Sequence, residues 1–299
     1  MPSIREIETK TALTPTGGFL RGYTHSFSPA IGCMLGKTTC GVYCYAQFLQ
    51  AHKIYGSGEW GESILLKTNA PAVLRAELER AARRPPDHKY HLSNIRVFSA
   101  SSTEPLAGPV FNIYKQCLDV LAEFTPAAWV VQTRSPLITN LRAELERIKT
   151  CAVVSMTIET DDDALYQIGA AGSPLPTARM RAISQMQDWN VPIHVAVSPA
   201  LPIRNISTFA DWLAENADAV TVDTAVDGDG TGDGKRTALT TFPELMRTKG
   251  YDWRDGSQAR ELYQLLKNKI GERAGWSSEG FVRLANRSVF TPLTRRESF

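Results

Sequence analysis

Two apolar patterns alternate along most of this chain: short continuous runs, and longer stretches whose apolar residues recur three or four apart. The continuous runs fall at residues 26–32, 95–99, 128–133, 151–157, 191–197 and 217–224, and the later ones are apolar almost throughout, as strands covered on both faces are. Between them, residues 109–124 set Val110, Tyr114, Cys117, Leu118 and Leu121 on one side of a helix. Residues 137–148 do the same with Ile138, Leu141, Leu145 and Ile148, 177–189 with Met180, Ile183 and Met186, and 206–216 with Phe209, Trp212 and Leu213. Helical sequence is also expected over 45–53. A short strand is expected at 63–67, then a helix from 70 to 84 with Asn69 as N-cap, Pro71 in its first turn, and Pro85 and Pro86 as its stop.

Six strands separated by helices imply right-handed crossovers and a parallel sheet in an α/β chain. A doubly wound sheet and a barrel both satisfy the alternation. In a barrel the functional residues gather at the C-terminal strand ends. Residues 1–24 are polar and turn-rich and read as a surface arm, 25–235 as the barrel, and 236–299 as an extension packing on it. The extension has one clear helix at 258–270, with Leu262, Leu265, Leu266 and Ile270 on one side.

With 43% hydrophobic and 21% charged residues the chain has the composition of an ordinary globular protein. A net charge of +2 gives no strong pull toward nucleic acid or membrane, so a polyanion would need a local patch. The run Arg80, Arg83 and Arg84 falls at a helix end and reads as a solvated face. No stretch approaches the roughly 20 apolar residues of a membrane span, and no signal-like apolar region opens the chain. A cytoplasmic location is therefore expected, in keeping with reduced cysteines; Cys117 and Cys151 read as small buried hydrophobes.

The other three cysteines, Cys33, Cys40 and Cys44, lie within twelve positions of one glycine-containing loop. An odd number with no secretory signal argues against disulfides and for a metal. A closed zinc site would need a fourth ligand, with His25 and His52 the nearest imidazoles. A four-iron cluster held by three cysteines would leave one iron open to a small molecule. The residues alone leave both open.

Gly32-Cys33, then Cys40, then Tyr43-Cys44-Tyr45-Ala46 resembles the cluster loop of radical S-adenosylmethionine (SAM) enzymes, most closely the spore photoproduct lyase-like branch. In that family three and then two residues separate the cysteines; here six and then three do, with Gly36 and Gly41 supplying backbone freedom. The resemblance runs from about residue 11 to 205 and implies a partial (β/α)6 TIM-type barrel with a helical C-terminal extension. It implies a 4Fe-4S cluster on Cys33, Cys40 and Cys44, and SAM contacts from Tyr43 and from the turn Ser101, Ser102, Thr103 and Glu104, which would hold the amino group. Further contacts would come from Thr133 in Gln132-Thr133-Arg134-Ser135, from Ser155 and Thr157 near the fourth strand end, and from Arg179 on the helix beyond it. Alternation along that strand places Ser155, Thr157 and Glu159 on one face. Physical readings without a ligand also exist: a helix N-cap for 101–104, a solvent-exposed helix arginine for Arg179, and a satisfied core histidine for His194.

In the family the reduced cluster cleaves SAM to methionine and a 5'-deoxyadenosyl radical that abstracts hydrogen. An electron donor of the flavodoxin or ferredoxin type is then implied. The substrate is not legible. Spore photoproduct lyase repairs DNA and returns hydrogen through a cysteine after the cluster loop, whereas no cysteine occurs here between Cys44 and Cys117. A non-enzymatic zinc or iron–sulfur protein is the alternative class. The segment 227–234, Asp-Gly-Asp-Gly-Thr-Gly-Asp-Gly, has the look of a calcium loop but has Ala238 where a bidentate Glu belongs, and reads as a mobile loop over the barrel mouth.

Overall fold

The computed structural model describes residues 2–55, 58–99, 102–287 and 290. Its strands are β1 (Ser3–Ile7), β2 (Leu13–Pro15), β3 (His25–Phe27), β4 (Ala30–Ile31), β5 (Ser63–Lys67), β6 (Arg96–Ser99), β7 (Ala128–Thr133), β8 (Ala152–Thr157), β9 (Ile193–Val197), β10 (Ala219–Val222) and β11 (Ala274–Trp276). The helices are α1 (Thr39–Tyr43), α2 (Gln50–Tyr55), α3 (Ala70–Ala82), α4 (Val110–Glu123), α5 (Arg142–Arg147), α6 (Asp163–Tyr166), α7 (Pro176–Gln185), α8 (Ile206–Asn216), α9 (Phe242–Thr248), α10 (Ser257–Ile270) and α11 (Ser277–Leu284). None of them is long and apolar enough to cross a membrane.

The six alternating strands pair in parallel in the order β3-β6-β7-β8-β9-β10; β11 extends this sheet in parallel, and β2 joins the other edge antiparallel. The two edge strands do not pair with each other, so the sheet is a partial, open TIM-like barrel. Its outer face carries the main core. Val97, Trp129, Val131, Val154, Val195 and Val220 meet the apolar sides of the crossover helices, including Leu74, Leu118, Leu145, Ile183, Leu213 and Leu266. The inner face is covered differently. Phe98, Val130, Val153, Ala196 and Ala219 pack against Tyr23 and against Phe281, Leu284 and Ala285, so α11 and its continuation fill the lumen from one side.

Several local expectations change. The run 26–32 is not one strand: β3 ends at Phe27, and beyond Pro29, which has no N–H for a ladder, the chain enters β4, antiparallel to β5 in a separate sheet ordered β1-β5-β4. The 1–24 arm contributes β1 to that sheet and β2 to the barrel sheet. Asn69 does not cap α3 with its side chain; its Oδ1 accepts from Thr9 N (2.8 Å) and its Nδ2 donates to Thr9 O (3.0 Å), tying the arm down. The helix expected over 45–53 is a 3-10 turn, Tyr45–Phe48, followed by α2, while α1 forms earlier, around Cys40. The stretch 137–148 begins as the 3-10 turn Pro136–Leu141 before α5.

Phe281 joins the lumen core to the cavity described below, its ring 5.7 Å from Phe19 and 6.0 Å from Phe98. Phe281→Ala should therefore lower stability by about 3–5 kcal/mol, read as a lower urea midpoint with an unchanged slope. An unchanged midpoint would show that α11 does not hold the lumen.

Candidate functional site

Two cavities meet at the C-terminal ends of the barrel strands. The smaller, about 380 Å³, is lined by Cys33, Cys40 and Cys44 together with Trp60, Ser102, Thr103, Glu104, Thr133 and Arg134. The larger, about 810 Å³, has a wall of Phe19, Tyr43, Tyr45, Phe98 and Phe281 and a polar side of Gln132, Arg134, Thr157 and Thr224. Cys44, Gln132 and Arg134 line both.

The cysteine loop is held by close backbone approach. A Cβ on Gly41 would stand 1.9 Å from Gly36 O, and one on Gly36 would stand 2.5 Å from Gly61 Cα. Neither glycine has a positive φ, so what they supply is space rather than freedom. From outside, Cys40 N donates to Ser173 Oγ (3.0 Å) and Thr39 N to Ala170 O (3.0 Å). The thiols converge on one cavity, yet among the described residues no three His, Cys, Asp or Glu side chains are gathered as ligands of one metal ion would be. Three thiols on one cavity leave a closed zinc site one ligand short and match the three-cysteine donor set of a four-iron cluster. Neither imidazole that the sequence offered as a fourth zinc ligand lines this cavity: His25 packs on Tyr90 in another cavity (ring centroids 5.1 Å apart), and His52 is edge-on to the cavity residue Trp60 (4.9 Å).

Other features of the cavity also fit a bound cluster. Glu104 N donates to Cys33 Sγ (3.3 Å), a bond that strengthens when sulfur is anionic. Thr103 Oγ1 and Trp60 Nε1 are buried without partners. Burial pushes the Cys33 thiol up to about 12, with the charges of Cys44 and Glu104 adding to the effect. Burial also raises Cys40 and Cys44, while Arg134 opposes it. Ionising three such thiols takes a bound cation.

The other residues expected at the site divide between cavity wall and support. Ser101 lies outside the described residues. Ser102 Oγ lies 3.0 Å from Ser28 Oγ. The Glu104 carboxylate already accepts from Thr133 Oγ1 (2.5 Å), Arg134 N (2.8 Å) and Leu106 N (3.1 Å), so it fixes the ends of β6 and β7 against each other. Thr157 lines the larger cavity and accepts from Gln132 Nε2 (2.6 Å). Ser155 is inside the lumen, bonded to Gln132 Oε1 (2.6 Å) and His194 Nδ1 (2.8 Å). His194 is a satisfied core group, its Nε2 2.8 Å from Thr221 Oγ1.

Arg179 is neither solvent-exposed nor on a cavity wall. It is fully buried, with Nη1 on Glu159 Oε2 (2.6 Å) and Thr157 O (2.5 Å) and its guanidinium over the Tyr166 ring. Glu159 also accepts from Tyr43 Oη (2.6 Å) and Arg134 Nε (3.0 Å). Burial alone would raise this carboxyl, but Arg179, Arg134 and Tyr43 outweigh it and hold it below the usual carboxylate range. With one carboxylate between two guanidiniums, net positive charge remains, and it faces the cavities at Arg134, whose side chain is 22% exposed. Arg134 was legible only as part of a strand-end motif, and its role as the cavity cation comes from the fold.

Asp223, just beyond β10, was not singled out from the sequence; its signal there is an acid closing an apolar run. It is fully buried, and Oδ1 accepts from Thr224 N (2.9 Å). Gly228, on the cavity wall, covers Oδ2: a Cβ there would stand 2.6 Å away. The glycine-rich loop is tied inward by Asp229, which accepts from Thr231 N (2.8 Å), Arg236 N (2.8 Å) and Thr237 N (3.1 Å).

No family model matches the chain. Uncharacterised proteins of Mycobacterium bovis and Mycobacterium tuberculosis are 27% identical over 169 residues, covering 54% of this chain and 46% of theirs, so the chain spans about half the length of the curated relatives it matches. Among solved structures, the fold is that of spore photoproduct lyase. A variant with bound AdoMet and dinucleoside spore photoproduct superposes with a TM-score of 0.59 at 15% identity over 92% of this chain and 81% of that one. A second variant gives 0.58 at 13% identity over the same shares. The cysteine-loop resemblance and the likeness of the whole fold are to the same protein, spore photoproduct lyase.

Burial pushes the Asp223 carboxyl from 3.8 up to about 8, with Asp227 and Asp229 adding to the shift. A proton held more tightly in the folded state gives stability that is complete below the unfolded value and is lost as pH rises toward 8. Asp223→Asn should therefore gain on the wild type progressively between about pH 4 and 8 in thermal melts; a constant difference across that range would show that Asp223 is already ionised.

Proposed function

We propose that the chain is a radical SAM enzyme in which Cys33, Cys40 and Cys44 hold a 4Fe-4S cluster and SAM occupies the adjoining cavity. The observation that carries this reading is the meeting of the two cavities at Cys44, Gln132 and Arg134. A molecule in the larger space would reach an iron left open by three cysteines. When bound, the reduced cluster supplies the electron that cleaves SAM to a 5'-deoxyadenosyl radical for hydrogen abstraction.

The chain's own groups would bind, orient and exclude. Arg134 offers a guanidinium, already aimed by Glu159, to the SAM carboxylate. Thr103 Oγ1, in the cysteine cavity and without a partner, offers an acceptor to the amino group. The wall of Phe19, Phe98 and Phe281 keeps water from the reacting carbon and leaves an apolar face for the substrate. An electron donor of the flavodoxin or ferredoxin type completes the proposal, with a cytoplasmic setting.

DNA photoproduct repair is the less favoured reading, although the solved neighbour binds a dinucleoside photoproduct. The resemblance would ask a cysteine beyond the loop to return hydrogen. Both remaining cysteines, Cys117 and Cys151, are fully buried in the core on the outer face of the sheet, away from the lumen.

Anaerobic reconstitution with iron and sulfide, followed by reduction and addition of SAM, should yield 5'-deoxyadenosine by chromatography. Cys33→Ala should abolish the product while keeping the far-ultraviolet circular dichroism of the wild type. A fully loaded cluster that leaves SAM intact, or a site that takes only zinc, would overturn the proposal.

A further inference from the structure

A row of polar side chains crosses the barrel lumen on the inner faces of four adjacent strands. Gln132 on β7 is opposite Ser155 on β8, which is opposite His194 on β9, and Thr221 follows on β10. Gln132 Nε2 donates to Thr157 Oγ1 (2.6 Å) and Ser155 Oγ donates to Gln132 Oε1 (2.6 Å). Two contacts have no orientation fixed by the atoms themselves: Ser155 Oγ to His194 Nδ1 and His194 Nε2 to Thr221 Oγ1, both 2.8 Å.

Counting protons orients them. A hydroxyl has one hydrogen, and Ser155 has given its own to Gln132, so His194 Nδ1 must be the donor to Ser155. A neutral imidazole then has a bare Nε2, which must accept from Thr221. Burial lowers His194 to about 3, in keeping with a neutral ring. Turning the Gln132 amide over would reverse every bond, and side-chain amides permit this. The reversed row ends badly, however. The Thr221 hydrogen would then need an acceptor, and its hydroxyl has no second partner among the described residues. It is buried against α11, where a Cβ on Gly280 would stand 2.5 Å from Thr221 Oγ1. A donor left unmet there is costly, whereas one left at Thr157 faces the cavity.

We propose that Thr221, His194, Ser155, Gln132 and Thr157 form a one-way hydrogen-bond relay that locks His194 as the Nδ1–H tautomer and makes the Thr157 hydroxyl a donor to the molecule bound in the larger cavity. His194 is thus a positioning residue acting through Ser155 and Gln132. With Arg134 beside it, the Thr157 hydroxyl makes a pair of donors on this part of the wall, and the ligand group lying against that pair presents an oxygen acceptor such as a carboxylate or hydroxyl. The tautomer stands on the fold alone; the use of Thr157 by SAM rests on the proposed function.

The test is a long-range proton–nitrogen correlation spectrum of the histidine-labelled chain without cofactor, with His194→Asn assigning one of the five histidines. A single Nδ1–H form that does not titrate between about pH 5 and 9 is expected, and Thr221→Val, which removes the bias, should show both tautomers. An Nε2–H wild type, or a Thr221→Val spectrum still purely Nδ1–H, would overturn the relay. On cluster-loaded protein, Thr157→Val should weaken SAM binding about tenfold and Thr157→Ser should restore it. Equal affinity in all three would overturn the role of Thr157, whereas a wild type that binds no SAM would overturn the proposed function and leave the relay standing.

Discussion

The buried carboxylate of Glu159 lies where the cysteine loop, two strand ends and a crossover helix meet, and a charge with no access to water must be met by protein groups. Tyr43 brings α1 and the last cysteine to it, Arg134 brings the end of β7, and Arg179 brings α7. None of these attachments can shift alone without leaving a charge or a phenol uncompensated in the interior. The position of Cys44 is therefore set in part by an ion cluster whose Arg134 lines the same cavity as the thiols. The same arrangement determines which arginine meets the solvent-facing space: Arg179 is fully enclosed, so the surplus positive charge emerges at Arg134.

Barrel class was legible because the strands buried on both faces are nearly continuous apolar runs, and β6 to β10 fall where those runs predict. The crossover helices were legible for the matching reason, their repeat of Leu, Ile and Met. What could not be read is whatever depends on partners far away in sequence. Asn69 has the local signature of a cap, but Thr9, sixty residues earlier, takes both ends of its amide. Ser155 and Thr157 share one face of a strand, as alternation requires, yet one bonds within the lumen and the other reaches the cavity wall. That separation depends on where the neighbouring strands end, which periodicity does not specify.

The cysteine loop is long, but it doubles back on itself. Its extra residues are folded back by glycines pressed together, Gly36 on Gly41 and on Gly61, and side chains are excluded where backbones touch. The residues 168–173 then brace the loop from outside through Ala170 and Ser173. Residue count is thus a poor measure of reach in this loop, because a turn that doubles back adds residues without adding reach.

The lumen is closed by groups brought together from widely separated parts of the chain. Tyr23 Oη donates to Phe281 O across 258 positions, and Ser278 Oγ to Phe19 O across 259. On a ribosome, the cysteine loop and the whole run of barrel strands up to β10 leave the exit tunnel before α11 has been made. For that interval the inner face is a trough open to solvent rather than a roofed cavity. Newly made chains therefore pass through a stage in which the inner face lacks the ring of Phe281, and completion of α11 ends that stage.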